Sequence, residues 1–488
     1  MLPLALGSNS ALGASTGALT IAANNGSWFG DVGLKTLAPN LVIPNPIVFQ
    51  TPSIIPASNP AQLQYSGLLD LVGSNSFTLA GPITSGPANP TLGQIPGSIN
   101  LFNPLTVTIS GANGGYYGDF TVGNGTLLFD SNTAAGRGFV NLIGPNATVA
   151  FGNALNPVIY GLNGANGGNI ILPNGTNLTV NTDSGGNQNR DNEFNGLISG
   201  AGSTSTTASL TVTQTVVANG NANFLYLHGT SLYTGGTTVT GQAALGIGTN
   251  TAIGTGPLTI SATDGGVALN TGVTLTNALV FNSGGLAGLG TFSPSSVTGT
   301  GQTAGAITFG LNQVVFPGIP GNNDSVPGTL TLTPNVVFAN GGKFKLVIED
   351  PASTDVLSGL PNGSGLLQIT GNLDLTTIST SFIIAPETID ASGKQGFAPT
   401  ITWGQSYQLL IVQTAGAITG FNAANFSFDL TKFQNGTALS SLFSVSNPDS
   451  QHLYLNFTAV PEPAMWALLA TGAGFLGLAA LRRVRRSS

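Results

Sequence analysis

Residues 231–260 read SLYTGGTTVTGQAALGIGTNTAIGTGPLTI, and the second half of that stretch recurs at the start of the chain. Residues 4–26, LALGSNSALGASTGALTIAANNG, align with residues 245–265, LGIGTNTAIGTGPLTISATDG, once Ala14 and Ser15 are set aside as an insertion. Gly7, Asn9, Ala11, Gly13, Gly17, Leu19, Thr20, Ile21 and Gly26 then meet Gly248, Asn250, Ala252, Gly254, Gly256, Leu258, Thr259, Ile260 and Gly265. A third, weaker copy, GTLLFDSNTAAGRG, begins at Gly125. Internal similarity of this kind marks units that bury their apolar faces by stacking, and it outranks local propensity.

Short alternating runs such as LTVTIS (105–110) and TLTLT (329–333) place apolar or β-branched residues on one face. Gly- and Asn-rich corners such as NGGNI and PNGTN separate them, and both residues tolerate the left-handed backbone of a tight corner. No helix-period segment of useful length precedes residue 464. The expected fold is all-β: a right-handed parallel β-helix (β-solenoid) over residues 1–285, a β-rich C-terminal region and one C-terminal transmembrane helix.

The fuller context of the second copy, GLISGAG at 196–202 and LTV at 210–212 ahead of residues 231–260, resembles the autotransporter-associated β-strand repeat. Tyr233, Thr234, Gly235, Gly236, Thr237, Thr238 and Val239 match that repeat's core, and Gly254, Gly256, Leu258 and Thr259 its ending. A repeat that opens in mid-unit at residue 4 leads us to expect further coils and a signal peptide upstream. MLPLALGSNSALGASTGALTI itself carries no Lys or Arg before Lys35 and only a brief apolar start.

The texture changes near residue 286. PGIPGNNDSVPGTLTL, KFKLVIED, LLQITGNLDL, YQLLIV and HLYLNF follow in order up to residue 459. This order resembles the C-terminal region of bacterial repeat proteins that end in a PEP triplet, with Val326 departing from the usual form of the first element. Its longer alternating strands are expected to build an antiparallel sandwich or a cap over the open end of the stack.

The tail, VPEPAMWALLATGAGFLGLAALRRVRRSS, holds Pro461, Glu462 and Pro463, then an uncharged run over 464–481, then Arg482, Arg483, Arg485 and Arg486. As a helix, those 18 residues span about 27 Å, near the thickness of a hydrocarbon core. The prolines keep the triplet outside the helix. The arginines form a membrane stop and hold the end on the cytoplasmic side. Residues 460–488 thus resemble the PEP-CTERM sorting signal. That resemblance implies recognition of Pro461, Glu462 and Pro463 by an exosortase-like membrane protease, an inner-membrane intermediate, and release to the cell surface, outer membrane or extracellular matrix. It also implies company with exopolysaccharide and biofilm production, so exopolysaccharide and other surface proteins are the expected partners.

Composition agrees with an extracellular life. There is no cysteine for a disulfide or a thiolate metal site. Charged residues are only 6% and glycine is 70 of 488. Formal net charge is −7, and four of the 11 Lys/Arg lie in the tail, so little basic charge remains to bind nucleic acid.

Candidate chemistry is sparse. His228 and His452 sit alone in strand-like runs and read as structural. The densest polar cluster, NTDSGGNQNRDNEFNG, contains Asp183, Arg190, Asp191 and Glu193. Asp191 and Glu193 would share a face in extended chain. They form a secondary Ca²⁺ candidate together with Asn187 and Asn189, because oxygen ligands suit that ion. Two carboxylates would also serve glycoside cleavage, but a solvated corner loop accounts for the stretch. Glu349, Asp350 and Asp355 read as turn residues, and Thr234-Gly-Gly-Thr237 as the repeat's bend. Gly-rich GANGGYYGDF (111–120) lacks the lysine and helix of a phosphate loop.

No catalytic residue, resident metal or cofactor is expected, and the chain reads as a non-enzymatic structural or adhesive surface protein. The alternative is a glycan-binding or glycan-cleaving β-helix, with Trp28, Tyr116, Tyr117 and Trp403 as the aromatics to follow. An autotransporter passenger with its own barrel is disfavoured, since the chain ends in RRSS and lacks barrel strands.

Overall fold

The computed structural model describes residues 3–21, 31–50, 64–65, 67–85, 94–95, 97–183, 192–215, 223–320, 325–350, 363–390, 392–435 and 440–460, with backbone alone at 31, 64, 65, 94 and 95. Among these the chain is all-β. The described helices are one-turn 3₁₀ segments, such as Ala423–Asn425 and Ser440–Leu442. Contacts divide the chain into two compact units, one of Met1–Gly285 with Pro294–Thr300 and the other of Leu286–Ser293 with the remainder from Gly301.

In the first unit the chain visits three sheets in turn. Asp31–Thr36, Leu41–Ile43 and Ile47–Phe49 are followed by Leu68–Leu71, Phe77–Leu79 and Ile83–Ser85, each strand pairing in parallel with its counterpart. Partners lie from 18 residues apart (Leu279 and Val297) to 37 (Val32 and Leu69). The first sheet runs through seven parallel strands from Leu4–Leu6 to Leu162–Asn163, and the second through eight from Leu41–Ile43 to Thr230–Ser231. Such long parallel sheets are consistent with a β-helix.

Alternation sets what each strand buries. Thr106–Ile109 points Val107 and Ile109 inward and Thr106 and Thr108 outward. Register then stacks like on like. Leu34, Leu71, Leu101, Val122 and Leu142 are successive partners in one inward column, and each is at most 1% exposed. Burying one such side chain contributes about 1.5–3 kcal/mol. Aromatic rings thread the same interior, from Phe49 through Tyr116, Phe120 and Phe129 to Phe151, with centroids 5.0 to 5.8 Å apart.

The corners explain the sequence repeat. Its three copies share Asn-(Ser/Thr)-Ala-x-Gly, with the asparagine at 9, 132 and 250. Each of these asparagines accepts, through Oδ1, a backbone N–H of the next turn of chain: Val42 at 2.9 Å, Asn156 at 2.9 Å and Thr274 at 2.8 Å. The closing glycines, Gly13, Gly136 and Gly254, all have positive φ. A second asparagine answers from the following turn. Asn45 donates Nδ2 to the Ala14 and Gly17 carbonyls, and Asn277 donates to those of Gly254 and Gly256. The copies at 4–26 and 245–265 follow a strand of the first sheet or its continuation, whereas the third copy follows Gly125–Phe129 of the second. It is the same corner used at a different vertex, which is why its flanks diverge.

The second unit departs from the antiparallel sandwich expected of it. Thr329–Leu332, Leu366–Ile369 and Ser406–Thr414 pair in parallel, as do Asn335–Phe338, Leu373–Asp374 and Ile418–Thr419. A third parallel set joins Lys343–Ile348, Phe382–Thr388 and Phe426–Phe428. The reason lies in the connections. Thr329 meets Leu366 and Leu373 meets Ile418, separations far beyond a hairpin, which only a crossover can span. Antiparallel pairing in the closing strands of this unit joins His452–Thr458 to both Ser406–Thr414 and Phe443–Ser446. Asparagine again bridges the turns: Asn335 Oδ1 accepts the Asn372 N–H at 2.9 Å, and Asn372 Oδ1 accepts that of Ala417 at 2.8 Å. Among the described residues no helix is long and apolar enough to cross a membrane. The expected membrane segment, residues 464–481, lies outside the described residues.

Asn113 gives the sharpest test of this corner device. It is fully buried, accepts the Ile83 N–H at 2.7 Å and donates to the Ala134 carbonyl at 2.7 Å, joining the turns before and after its own. Asn113→Ala strands both groups in the interior and is expected to cost about 2–4 kcal/mol. A denaturant melt of the variant matching that of the natural chain would refute this assignment.

Candidate functional site

The carboxylates singled out by sequence do not converge among the described residues. Glu193 lies on the strand Asn192–Phe194 with its side chain half exposed, and its Oε1 accepts Nδ2 of Asn195 at 3.2 Å. Asp191, Asn187, Asn189 and Arg190 lie outside the described residues, so the Asp191–Glu193 Ca²⁺ pairing has no described geometry. Asp183 is a staple instead: its carboxylate accepts the Thr215 N–H at 3.0 Å and the Thr215 hydroxyl, tying two strands' ends together. Among the described residues no three His, Cys, Asp or Glu side chains come close enough to hold a metal ion.

What does lie beside Glu193 is an aromatic ladder that sequence reading did not name. Glu193 is the register partner of Tyr226, on the strand Phe224–Leu227. Phe224 and Tyr226 stack with centroids 5.0 Å apart, and Tyr226 and His228 at 6.2 Å, all three rings nearly parallel. The next strand, Ala244–Ile247, and its exit leave room by using glycine. A Cβ on Gly246 would meet the Tyr226 ring at 2.2 Å, and one on Gly248 would meet His228 Nδ1 at 1.9 Å. The signal was the spacing of Phe224, Tyr226 and His228 at every second residue. The rings stack on one another, which places His228 in a packed ladder rather than beside a nucleophile.

The described aromatics proposed for a glycan groove differ in their surroundings. Tyr116 is fully buried and donates to the Asp119 carbonyl at 2.9 Å, and burial pushes its hydroxyl well above the ordinary range. Tyr117 is half-buried beneath Arg137, whose guanidinium carbon lies 5.5 Å from the ring centroid. Trp403 belongs to the second unit and is 43% exposed, while Trp28 lies outside the described residues.

In the Thr234–Thr237 stretch the threonine hydroxyls bond neighbouring turns, Thr234 Oγ1 to the Thr206 carbonyl at 3.2 Å. Tyr233 is buried, its hydroxyl paired with Thr237 Oγ1 at 2.7 Å, and Thr237 Oγ1 lies 3.2 Å from the Ile253 carbonyl of the next turn. Burial raises the Tyr233 pKa, so the phenol stays protonated. Gly235 presses on the Ala208 carbonyl of the turn before, and Gly236, at positive φ, on that of Pro257 in the turn after. Glu349 and Asp350 turn the chain, both N–H groups donating to the Gly363 carbonyl, and Asp355 lies outside the described residues. Pro461, Glu462 and Pro463, expected to act in sorting, and Arg482, Arg483, Arg485 and Arg486, expected to form a membrane stop, lie there too. No protein-family model, curated protein or solved structure matches the chain.

Three described carboxylates held below their ordinary pKa lie in the second unit. Asp390 is held below its ordinary pKa chiefly by the Ser392 hydroxyl, Asp429 by the Thr431 hydroxyl and then Lys343, and Asp449 by the His452 ring 2.8 Å away. A carboxylate depressed in the folded state adds stability that is complete above its unfolded value. That stability is lost as pH falls through the folded value. The thermal midpoint of the second unit is therefore expected to fall on acidification below about pH 4. Replacing Asp390, Asp429 and Asp449 together by Asn should flatten that decline in melts followed by circular dichroism from pH 7 to pH 2. An unchanged acid slope would remove these three pairs from the account.

Proposed function

We propose that this chain is an exported structural or adhesive surface protein, a right-handed parallel β-solenoid addressed by its C-terminal PEP triplet. The observation that carries the reading is the parallel register of successive turns: Leu34, Leu71, Leu101, Val122 and Leu142 repeat one inward position. A stack of this kind spends its sequence on persistence rather than on a pocket. Long parallel sheets joined by crossovers support a β-helix, and right-handed crossover is the rule for parallel strands.

In this reading residues 464–481 form the transient membrane helix, held by Arg482, Arg483, Arg485 and Arg486, and an exosortase-like protease reads Pro461, Glu462 and Pro463. The body then passes to the cell surface, outer membrane or extracellular matrix, where exopolysaccharide or other surface proteins are its partners. It carries no enzymatic role and needs no cofactor. The test is mass spectrometry of the mature C-terminus in the native host, together with cell fractionation. A chain ending near Pro463 in the surface or medium fraction is expected, and Glu462→Ala should leave an intact tail in the inner membrane. An uncut tail in the membrane fraction of the natural chain would defeat the sorting reading.

A further inference from the structure

One outward face of the first unit carries a hydroxyl lattice. Strands Asn177–Asn181, Ser209–Gln214, Thr237–Gly241 and Leu258–Leu269 pair in parallel without a register shift through residue 262. Thr179, Thr211, Thr238 and Thr259 are successive partners in one column. Thr213, Thr240 and Ser261 continue from Asn181 in a second column, two residues along. Columns built this way repeat about every 4.8 Å across strands and stand about 6.6 Å apart along them.

Three further features bear on what this lattice could recognise. First, its members are fixed from behind. Val180, Leu210, Val212, Val239, Leu258 and Ile260 alternate with them and are at most 1% exposed, and a β-branched side chain has few rotamers left. Second, most of the threonine hydroxyls are open, while Ser261 Oγ accepts from Asn282 Nδ2 at 2.9 Å. Thr211 bonds Asn177 at the lattice margin, at 3.2 Å, while no hydrogen bond from the side chain of Thr213, Thr238, Thr240 or Thr259 to another described residue is present. Third, residues 177–181, 209–214, 237–241 and 258–262 contain no charged side chain, so the surface complements an uncharged partner.

The other faces lack this combination. On the second sheet Thr106, Thr126 and Thr148 form one column, but its neighbour runs Thr108, Leu128, Ala150. On the first sheet the outward line includes Asp70, bonded to Asn100. A protein partner is a poor fit as well. Two columns over three strand steps cover on the order of 100 Å², against about 800 Å² per partner in a stable interface.

We infer that this threonine lattice binds ice. The spacing across strands lies close to one oxygen repeat on a prism face of hexagonal ice, and the spacing along them is somewhat shorter than the other. Each residue offers a hydroxyl to join the water lattice and a methyl to fill its hollows. The inference stands independently of the sorting signal, since it concerns the folded first unit alone.

The test is partition of the purified full chain into slowly grown polycrystalline ice, beside serum albumin as a non-binding carrier. The natural chain is expected to enter the ice well above the carrier and to inhibit ice recrystallisation. Thr238→Tyr with Thr240→Tyr, which keeps β-propensity but breaks the lattice, should fall to the carrier's level with an unchanged circular dichroism melt. Thr126→Tyr with Thr148→Tyr on the second sheet should partition like the natural chain. Exclusion of the natural chain from ice overturns the inference without recourse to any variant. Retention by the folded Thr238/Thr240 variant overturns it equally.

Discussion

A chain whose strands stack in parallel must satisfy the backbone of every corner, and here many of the partners come from the turns before and after. That constraint organises the molecule. Strand residues meet it through the parallel ladders. Corners meet it through asparagine, whose amide can accept from one turn and donate to another, as Asn113 does between Ile83 and Ala134. Because each corner borrows its partners from its neighbours, no turn is complete alone, and register passes from one to the next. The inward columns of Leu, Val and Phe, and the outward lines of Thr and Asn, follow from that register.

Glycine serves the same constraint in two distinct ways. At Gly13, Gly136 and Gly254 the backbone itself is left-handed, and a side chain would be strained whatever space surrounded it. At Gly235, Gly246 and Gly248 φ is ordinary, and the need is for room against the Ala208 carbonyl, the Tyr226 ring and the His228 ring. The GG pair of the repeat core combines the two, since Gly236 is both left-handed and pressed against Pro257.

How much of this could be read from the chain beforehand depended on distance in sequence. The all-β class and the corner motif were legible because alternation and Asn-(Ser/Thr)-Ala-x-Gly are local patterns. The role of Asn9, Asn132 and Asn250 was not, since their acceptor bonds reach 24 to 33 residues ahead. The parallel pairing of residues 329–428 was hidden for the same reason: TLTL alternates alike in either direction, and only the partner, 37 residues away at Leu366, decides. Glu193 was noticed for its charge, while its neighbour Tyr226 became visible only once register had placed the two strands side by side. Thr179, Thr211, Thr238 and Thr259 are scattered over eighty residues of chain and become a line only when stacked.

The reliance on asparagine at buried corners also sets how the protein ages. Asn113 precedes Gly114, the pairing in which an amide is most readily lost to water by way of a ring closed on the following backbone nitrogen. In the folded chain both ends of that amide are held at 2.7 Å, which keeps the side chain from closing the ring. Were it to become aspartate, an oxygen would face the Ala134 carbonyl where a donor had been, and the link to the following turn would be lost. The bond that joins the turns is thus also the guard on that amide's chemical lifetime.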